Sequence, residues 1–218
     1  METVDKSSSR ESDRVEKHLR QLILSLQIEP GLAISESTLI KRYGWGRTPL
    51  REAFQRLAEQ SLLQIIPRHG VVVTPLSVFE FVEVMDAMAM VIGPAAWLAC
   101  QHLTGDELAQ LEQTIEKGKL AAINADFLEV ATQDYEFHRL LAVATHNRYL
   151  SRYLLHLHQV ATRFNLASWN RDGNVEFSMS EHRKIVTTLQ QHDEVGARTM
   201  MLEHIENARH RVMGTFQP

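Results

Sequence analysis

Cysteine and long apolar runs are scarce in this 218-residue chain. The single cysteine, Cys100, excludes an internal disulfide framework and fits a reducing compartment. No apolar run approaches the roughly 20 residues of a membrane-spanning helix. The first residues, METVDKSSSRESDR, are too polar for a secretory signal. We therefore predict a cytoplasmic globular protein without a membrane segment.

Charge is distributed unevenly along the chain, although its net value is only −4. Residues 1–74 hold 11 Lys and Arg against 9 Asp and Glu, whereas residues 75–218 hold 12 against 18. The basic excess is concentrated in residues 37–74, with six basic residues against two acidic ones. A basic patch on an acidic protein is typical of a surface that binds a polyanion, and a solvated charged face is the alternative.

The first 45 residues carry the pattern of two helices. The apolar residues of the first recur at helical spacing: Val15, Leu19, Leu22, Ile23 and Leu26. Ser35 is a favourable N-cap for a short second helix, and Gly44 is a favourable stop. A third helix follows almost at once. Two short helices joined by so tight a turn are typical of a helix-turn-helix.

The third helix is predicted from the stretch GRTPLREAFQRL, residues 46–57. Proline is tolerated in the first turn of a helix, so Pro49 places the start near Gly46. The apolar residues form one stripe: Leu50, Ala53, Phe54 and Leu57. Arg47 and Arg51 share another face, at the helix end where the dipole favours a carboxylate. Two cations at that end indicate an anionic partner.

A β-hairpin is predicted after the third helix. Residues 63–66 and 71–74 are apolar or β-branched runs around a turn over residues 67–70. Three helices followed by a hairpin with a basic tip make a winged helix-turn-helix. We predict a mainly α protein: a disordered tail over residues 1–10, the winged helix-turn-helix over 11–75, and an all-helical bundle over 76–218.

The remainder of the chain shows only helical signals. Capping boxes at Ser77/Glu80, Thr104/Glu107 and Ser178/Glu181 predict helix starts, and Asp126 and Asp193 are further starts. The count of these signals predicts a bundle of six or seven helices. Gly93 and Pro94 interrupt the first of them, where we expect a kink or a break.

Ionisable residues fall on the apolar faces of three of these helices. Asp134 and His138 lie four residues apart beside one apolar stripe, while His182 and His204 lie on the stripes of two others. A single residue of this kind is most often a hydrogen-bonded core side chain. Buried ionisable groups need partners, and one Asp with three His is a suitable shell for a divalent cation. Three other histidines in this part of the chain are interpreted as surface or packing residues: His146, His156 and His158.

The stretch PGLAISESTLIKRYGWGRTPLREAFQRLAEQSLLQIIPRHGVVV resembles the DNA-binding domain of the GntR family of bacterial transcription regulators. The resemblance implies that the recognition helix enters the major groove and the wing tip reaches the minor groove. It implies base or phosphate contacts from Arg47, Thr48 and Arg51, and wing contacts from His69 and Gly70. Further basic residues would attract the DNA without reading its sequence: Lys41, Arg42, Arg56 and Arg68. A solvated surface residue is the alternative for Arg56. Gly46 departs from the usual serine N-cap, at little expected cost.

The segments DYEFHRLLAVATHNRYL and SEHRKIVTTLQQHDEVGARTMMLEHI resemble the FCD domain, the effector-binding half of FadR-type GntR regulators. The resemblance implies metal ligands at Asp134, His138, His182 and His204. Nitrogen-rich ligation favours Zn²⁺ or Ni²⁺, with Mn²⁺ and Fe²⁺ as alternatives. It also implies a small carboxylate effector. Met88 occupies the place of a family arginine that would hold it, and Arg163 and Asn165 are candidate substitutes.

These features predict a transcription regulator, most often a repressor in this family, that binds an operator as a homodimer and responds to a small molecule. A dimer is expected because one short recognition helix reads too few bases. The alternative is a metal-dependent hydrolase with an accessory nucleic-acid-binding module, but no general base of the H-E-x-x-H type accompanies the ligands. A structural metal, or none, is a third interpretation.

Overall fold

The computed structural model describes residues 3–68, 70–173 and 175–216. The chain divides into two compact units, residues 1–76 and 77–218. Within the described residues, the first contains three helices and a small sheet, and the second contains six helices and no strand. The structure is therefore mainly helical, as predicted.

Three helices form the body of the first unit: α1 (Thr3–Leu24), α2 (Glu36–Tyr43) and α3 (Arg47–Glu59). Ser35 caps α2 through its side-chain oxygen, which accepts from the Thr38 amide, and Gly44 ends the helix at φ 70°. The predicted apolar stripe of α3 is buried against residues of α1, including Val15, Leu19 and Ile23. Burial of these two stripes against each other fixes the orientation of α3.

The sheet has three strands where the sequence predicted two. The hairpin strands β2 (Leu63–Ile66) and β3 (Gly70–Val73) are present, and a further strand, β1 (Ala33–Ile34), pairs antiparallel with β3. The sheet order is β1-β3-β2. A strand of two residues leaves no periodic pattern in the sequence, so only its pairing with β3 reveals it.

Helix α1 differs from the prediction at both ends. It begins at Thr3, whereas residues 1–10 were expected to form a disordered tail. Residues 3–10 contain neither Pro nor Gly, so nothing in them ends a helix. At the other end the helix stops at Leu24, and Leu26 lies in the following turn at φ 59° rather than on the helix.

The second unit is a bundle of six helices, within the predicted range. Their bounds are α4 (Val78–His102), α5 (Gly105–Ile123), α6 (Phe127–Ala144), α7 (Arg148–Asp172), α8 (Glu176–Gln190) and α9 (Glu194–Phe216). Helix α4 packs against α6, α7 and α9, and α8 packs against α5 and α9. These contacts bring α6, α8 and α9, the carriers of the predicted ligands, to one region of the core.

Most of the predicted helix starts are confirmed. Ser77, Thr104 and Asp126 each accept the amide of the residue three positions later, and Asp193 Oδ1 accepts the Gly196 amide. The prediction at Ser178 is wrong, because α8 already begins at Glu176 and Ser178 lies inside it.

Helix α4 runs without a break through Gly93 and Pro94. A proline inside a helix costs about 3 kcal/mol, so packing must compensate for the lost hydrogen bond. Gly93 permits that packing, since an added Cβ would lie 3.1 Å from Leu202 Cδ1 of α9. The predicted break is therefore wrong, because close contact with α9 holds the helix together.

Helix α4 is also long and apolar enough to cross a membrane by length and composition alone, with a mean hydropathy of 1.5 over its most apolar window. No run of this length was expected from the sequence. In the structure, α4 packs against α6, α7 and α9, as a helix of a bundle does. Its buried face includes Phe81, Met85 and Met88.

Candidate DNA interface and candidate metal centre

The amino end of α3 exposes the residues predicted to contact DNA. Gly46 is the N-cap, in an extended conformation, and its carbonyl accepts the Leu50 amide at 3.1 Å. Pro49 and Leu50 are buried beneath the first turn, whereas Arg47, Thr48 and Arg51 are exposed. The buried stripe thus anchors the helix and leaves two guanidinium groups and a hydroxyl on its outer surface.

Glycine at the N-cap has a steric consequence for that first turn. An added Cβ at Gly46 would lie 3.0 Å from Pro49 Cγ and 3.1 Å from Pro49 Cδ. These contacts are tight, so a side chain at this position would require the Pro49 ring to shift by a few tenths of an ångström. Glycine itself forms no side-chain cap bond, and its contribution to the first turn is through its backbone carbonyl.

An ion pair orients one of the two arginines. Arg51 Nε donates to Glu36 Oε2 at 3.0 Å, from α3 to the start of α2. The Arg51 side chain is still 69% exposed. The pair therefore restricts Arg51 without burying its charge, and the guanidinium keeps donors that face solvent.

Arg56 lies on the same helix but has acidic partners. Its Nη1 donates to Asp13 Oδ1 at 2.6 Å and to Glu16 Oε2 at 3.3 Å, both on α1. These hydrogen bonds, the one with Asp13 foremost, raise the pKa of Arg56 above its ordinary value. These two carboxylates offset the charge of Arg56, which joins α3 to α1, and its attraction of DNA stays a prediction.

An aromatic group fixes the turn between α2 and α3. The rings of Tyr43 and Trp45 stack with centroids 4.6 Å apart, and His18 of α1 meets both rings edge-on. This arrangement ties the turn to α1 and so holds the start of α3 in place.

The hairpin tip carries the predicted wing contacts. Strands β2 and β3 end at the pair Ile66 and Gly70. Gly70 is exposed at φ 96°, a conformation that suits glycine, and Arg68 is exposed beside it at φ 67°. His69, the other predicted wing contact, lies outside the described residues.

In the second unit, the structure brings the four predicted metal ligands into one buried cluster. Asp134 and His138 come from α6, His182 from α8 and His204 from α9, and none is more than 3% exposed. One nitrogen from each of the three imidazoles lies within 4.8 Å of the other two. Asp134 adjoins this group, with its Oδ1 3.5 Å from His182 Nε2.

The contacts within the cluster fit a divalent cation. The Nε2 atoms of His138 and His204 lie 3.2 Å apart. Two tetrahedral nitrogen ligands at the usual Zn–N distance are separated by about 3.3 Å. Among the described residues, His182 Nε2 is buried without a hydrogen-bond partner, as are His138 Nδ1 and His158 Nε2. A buried polar atom of this kind is costly unless satisfied, and a cation between the rings would satisfy the lone pair of His182 Nε2.

Burial also sets the protonation of the cluster. It lowers the pKa values of His138 and His182 well below the ordinary value, so both imidazoles are neutral, as metal ligands must be. Burial raises the pKa of Asp134, and nearby His204 and a hydrogen bond from Ser178 oppose that rise. A bound cation would favour the ionised carboxylate.

His158 of α7 also lies in this region, although it was expected only to be a surface or packing residue. It is buried, and its ring stacks on that of His138 with centroids 4.0 Å apart. Burial lowers the pKa of His158 to about 3. The spacing of Leu154, His158 and Ala161, all buried, is the signal that could have identified it. By contrast, His146 and His156 are exposed, as surface residues are.

Two residues around the ligands were also missed. Ser178 Oγ donates to Asp134 Oδ1 at 3.1 Å, and His204 Nδ1 donates to Glu181 Oε2 at 2.8 Å. Burial would raise the pKa of Glu181, but hydrogen bonds from His204 and Arg211 lower it to about 2. In the sequence, Ser178 and Glu181 match the capping-box pattern, so they were interpreted as a helix start and not as partners of the cluster.

The three predicted effector residues are inside the bundle. Met88 of α4 and Arg163 of α7 are buried, and Asn165 is half-buried. Burial lowers the pKa of Arg163, and the negative charge of Glu80 opposes this shift. A buried guanidinium in an acidic unit suits an anionic ligand. The assignment of these three residues to effector binding stays a prediction.

Comparison with known protein families identifies both units. Residues 83–207 match the FCD domain, and residues 11–73 match the bacterial regulatory proteins of the gntR family. The uncharacterized HTH-type transcriptional regulator YdhC of Bacillus subtilis is 27% identical over 190 residues, covering 87% of this chain and 85% of the relative. The HTH-type transcriptional repressor RspR of Escherichia coli is 25% identical over 195 residues, covering 89% and 86%.

Solved structures support the same fold. McbR/YncC of E. coli superposes with a TM-score of 0.81 at 19% identity, covering 95% of this chain and 99% of that one. The relatives are transcription regulators, which does not favour the alternative of a metal-dependent hydrolase. The chain is a DNA-binding transcription regulator that belongs to the GntR family and carries an FCD domain.

Proposed function

We propose that this regulator is a cytoplasmic repressor that binds its operator as a homodimer and leaves it when a small carboxylate effector occupies a metal-containing FCD domain. RspR, its E. coli relative, is named as a repressor. The observation that carries the DNA-binding half is the exposed pair Arg47 and Arg51 at the amino end of an anchored α3.

For DNA recognition we assign Arg47, Thr48 and Arg51 to the major groove. The planar fork of arginine matches the O6 and N7 acceptors of guanine, and the threonine hydroxyl suits a base edge or a phosphate. The wing residues His69 and Gly70 would contact the minor groove, where an exposed glycine permits close approach. Lys41, Arg42 and Arg68 are exposed and would add attraction to phosphates.

A homodimer is supported by one outward face of α4. Its exposed residues recur at three- or four-residue steps along the whole helix: Phe79, Glu83, Asp86, Met90, Pro94, Trp97 and Gln101. Phe79 is 85% exposed and Met90 78%. Large apolar side chains in one stripe are typical of an interface, and a second copy of the chain would supply the second recognition helix that an operator requires.

For the effector half we assign Asp134, His138, His182 and His204 as ligands of a divalent cation, Zn²⁺ or Ni²⁺ by their nitrogen-rich chemistry. The cation would supply an electrophilic position for a carboxylate oxygen. The protein supplies neutral imidazoles, an aspartate held by Ser178, and a site from which water is largely excluded. Arg163 would offset the effector's remaining charge, with Met88 and Asn165 shaping the site.

Two arginines of α3 provide a matched test. Operator fragments are first selected from genomic DNA of the source organism with the purified protein. Arg51→Ala should then weaken binding of the selected operator by about 1–3 kcal/mol. Arg56→Ala removes the same charge from the same helix but from a residue paired with α1, so sequence discrimination should be retained. Equal operator affinity of wild type and Arg51→Ala would contradict the assignment.

A further inference from the structure

Glu181 of α8 lies next to the histidine cluster without being one of its predicted ligands. Its Oε2 accepts from His204 Nδ1 at 2.8 Å, and the Glu181 side chain is largely buried. The opposite ring nitrogen of His204, Nε2, points to His138 Nε2 at 3.2 Å. The His204 ring therefore bridges a carboxylate on one side and the cluster on the other.

Two further residues of α9 hold that carboxylate. Arg211 donates from its two terminal nitrogens to the two Glu181 oxygens, both at 3.1 Å, and Asn207 Nδ2 donates to Oε1 at 2.9 Å. Residues 204, 207 and 211 are separated by three and four positions, so they share one face of α9. That face places an imidazole, an amide and a guanidinium around one carboxylate.

The direction of the hydrogen bond determines the form of His204. A histidine that binds a metal must be neutral, so it carries one N–H, and an ionised carboxylate only accepts. The Glu181 contact therefore places the proton on Nδ1 and leaves the Nε2 lone pair facing the cluster. The same contact prevents rotation of the ring, and bidentate pairing with Arg211 prevents rotation of the carboxylate.

We infer that Glu181, held by Arg211 and Asn207, is a positioning residue that fixes the tautomer and orientation of His204 and thereby sets the metal affinity of the FCD domain. This inference rests on the proposed metal site. Glu181 itself is not a ligand, because both its oxygens already accept hydrogen bonds from α9. Carboxylates that accept from a ligating histidine typically contribute 10- to 100-fold to metal affinity.

The alternative is an ion pair that only joins α8 to α9, and the chain offers a control for it. Glu116 of α5 pairs with Arg183 of α8, on the exposed surface. Glu116→Gln thus removes another α8 ion pair without touching a histidine. Glu181→Gln and Glu116→Gln are equal in size and charge change, so their difference reports on His204.

The first readout is the binding of Zn²⁺, measured in competition with a fluorescent chelator, and the absorption spectrum of the Co²⁺-loaded protein. Glu181→Gln should lower Zn²⁺ affinity about 10- to 100-fold and alter the Co²⁺ spectrum. Glu116→Gln should change neither. Arg211→Lys, which keeps the charge but loses the bidentate contact, should give a smaller loss in the same direction.

The second readout needs no metal. Long-range ¹H–¹⁵N spectra of the metal-free protein report the tautomer of each histidine. His204 should be protonated at Nδ1 in wild type and should become a mixture of tautomers in Glu181→Gln. Wild-type protein that binds neither Zn²⁺ nor Co²⁺ would overturn the metal site and the inference together. Normal binding by wild type with unchanged affinity and tautomer in Glu181→Gln would overturn the inference alone.

Discussion

His138 and His204 place their Nε2 atoms 3.2 Å apart across the core of the FCD domain, although 66 positions separate them in the chain. Both imidazoles are buried, and His182 adds a third whose Nε2 has no hydrogen-bond partner within the described part of the chain. The other two rings therefore leave the buried His182 nitrogen unsatisfied. Their arrangement therefore makes metal binding testable residue by residue.

His182→Ala should abolish the stabilisation that metal gives. An ion present at 100 times its dissociation constant stabilises the native state by about 2.7 kcal/mol. The thermal midpoint of Zn²⁺-loaded wild type should fall when EDTA is added, whereas that of His182→Ala should not change. His210→Ala, an exposed position on α9, should respond to EDTA like wild type. Full metal content in purified His182→Ala would show that His182 is not a metal ligand.

His158→Phe distinguishes a packing residue from a ligand. Phenylalanine keeps a flat ring against His138 but offers no nitrogen. His158 is not one of the three histidines whose nitrogens lie within 4.8 Å of one another, so the variant should keep wild-type metal content. His138→Phe, the same exchange on the neighbouring ring, should lose the metal. Elemental analysis of both variants decides the matter, and a metal-free His158→Phe would place His158 among the ligands.

Periodicity allowed much of this site to be predicted. Asp134, His138, His182 and His204 fall on apolar helix faces, so their burial follows from sequence spacing alone. The contacts of Glu181 and Ser178 do not, because they depend on how α8 packs against α6 and α9. A capping-box pattern is local, and tertiary packing gave both residues other partners.

In the DNA-binding unit, too, local patterns could be predicted and contacts between distant segments could not. The buried stripe, the cap at Ser35 and the hairpin are local patterns and were predicted. Strand β1 and the pairing of Arg56 with α1 require distant segments to meet. Charge counting could not distinguish Arg56 from Arg51, since only the fold shows that Arg56 pairs with two carboxylates of α1 while Arg51 pairs with one and stays 69% exposed.

Glu36→Gln should strengthen DNA binding. The Glu36 carboxylate pairs with Arg51 at 3.0 Å and would lie close to DNA phosphates. Its removal frees the guanidinium and eliminates a repulsion, so operator affinity should rise by about 0.2–1 kcal/mol at low salt. The gain should shrink as salt increases. Fluorescence anisotropy titrations can compare it with Glu59→Gln, an equal charge change at the other end of α3. Weaker binding by Glu36→Gln would show that the ion pair orients Arg51 productively.

Met90→Glu should separate the proposed dimer. Met90 is 78% exposed in the middle of the outward stripe of α4, and a carboxylate there would be buried without a partner against a second copy. Leu120→Glu places the same charge at a residue 61% exposed on α5, outside that stripe, and should leave the dimer intact. Sedimentation at micromolar concentration measures both. Because a monomer presents one recognition helix, Met90→Glu should also lose most operator affinity while keeping the helical circular dichroism of the wild type. A dimeric Met90→Glu would place the interface on another face of the chain.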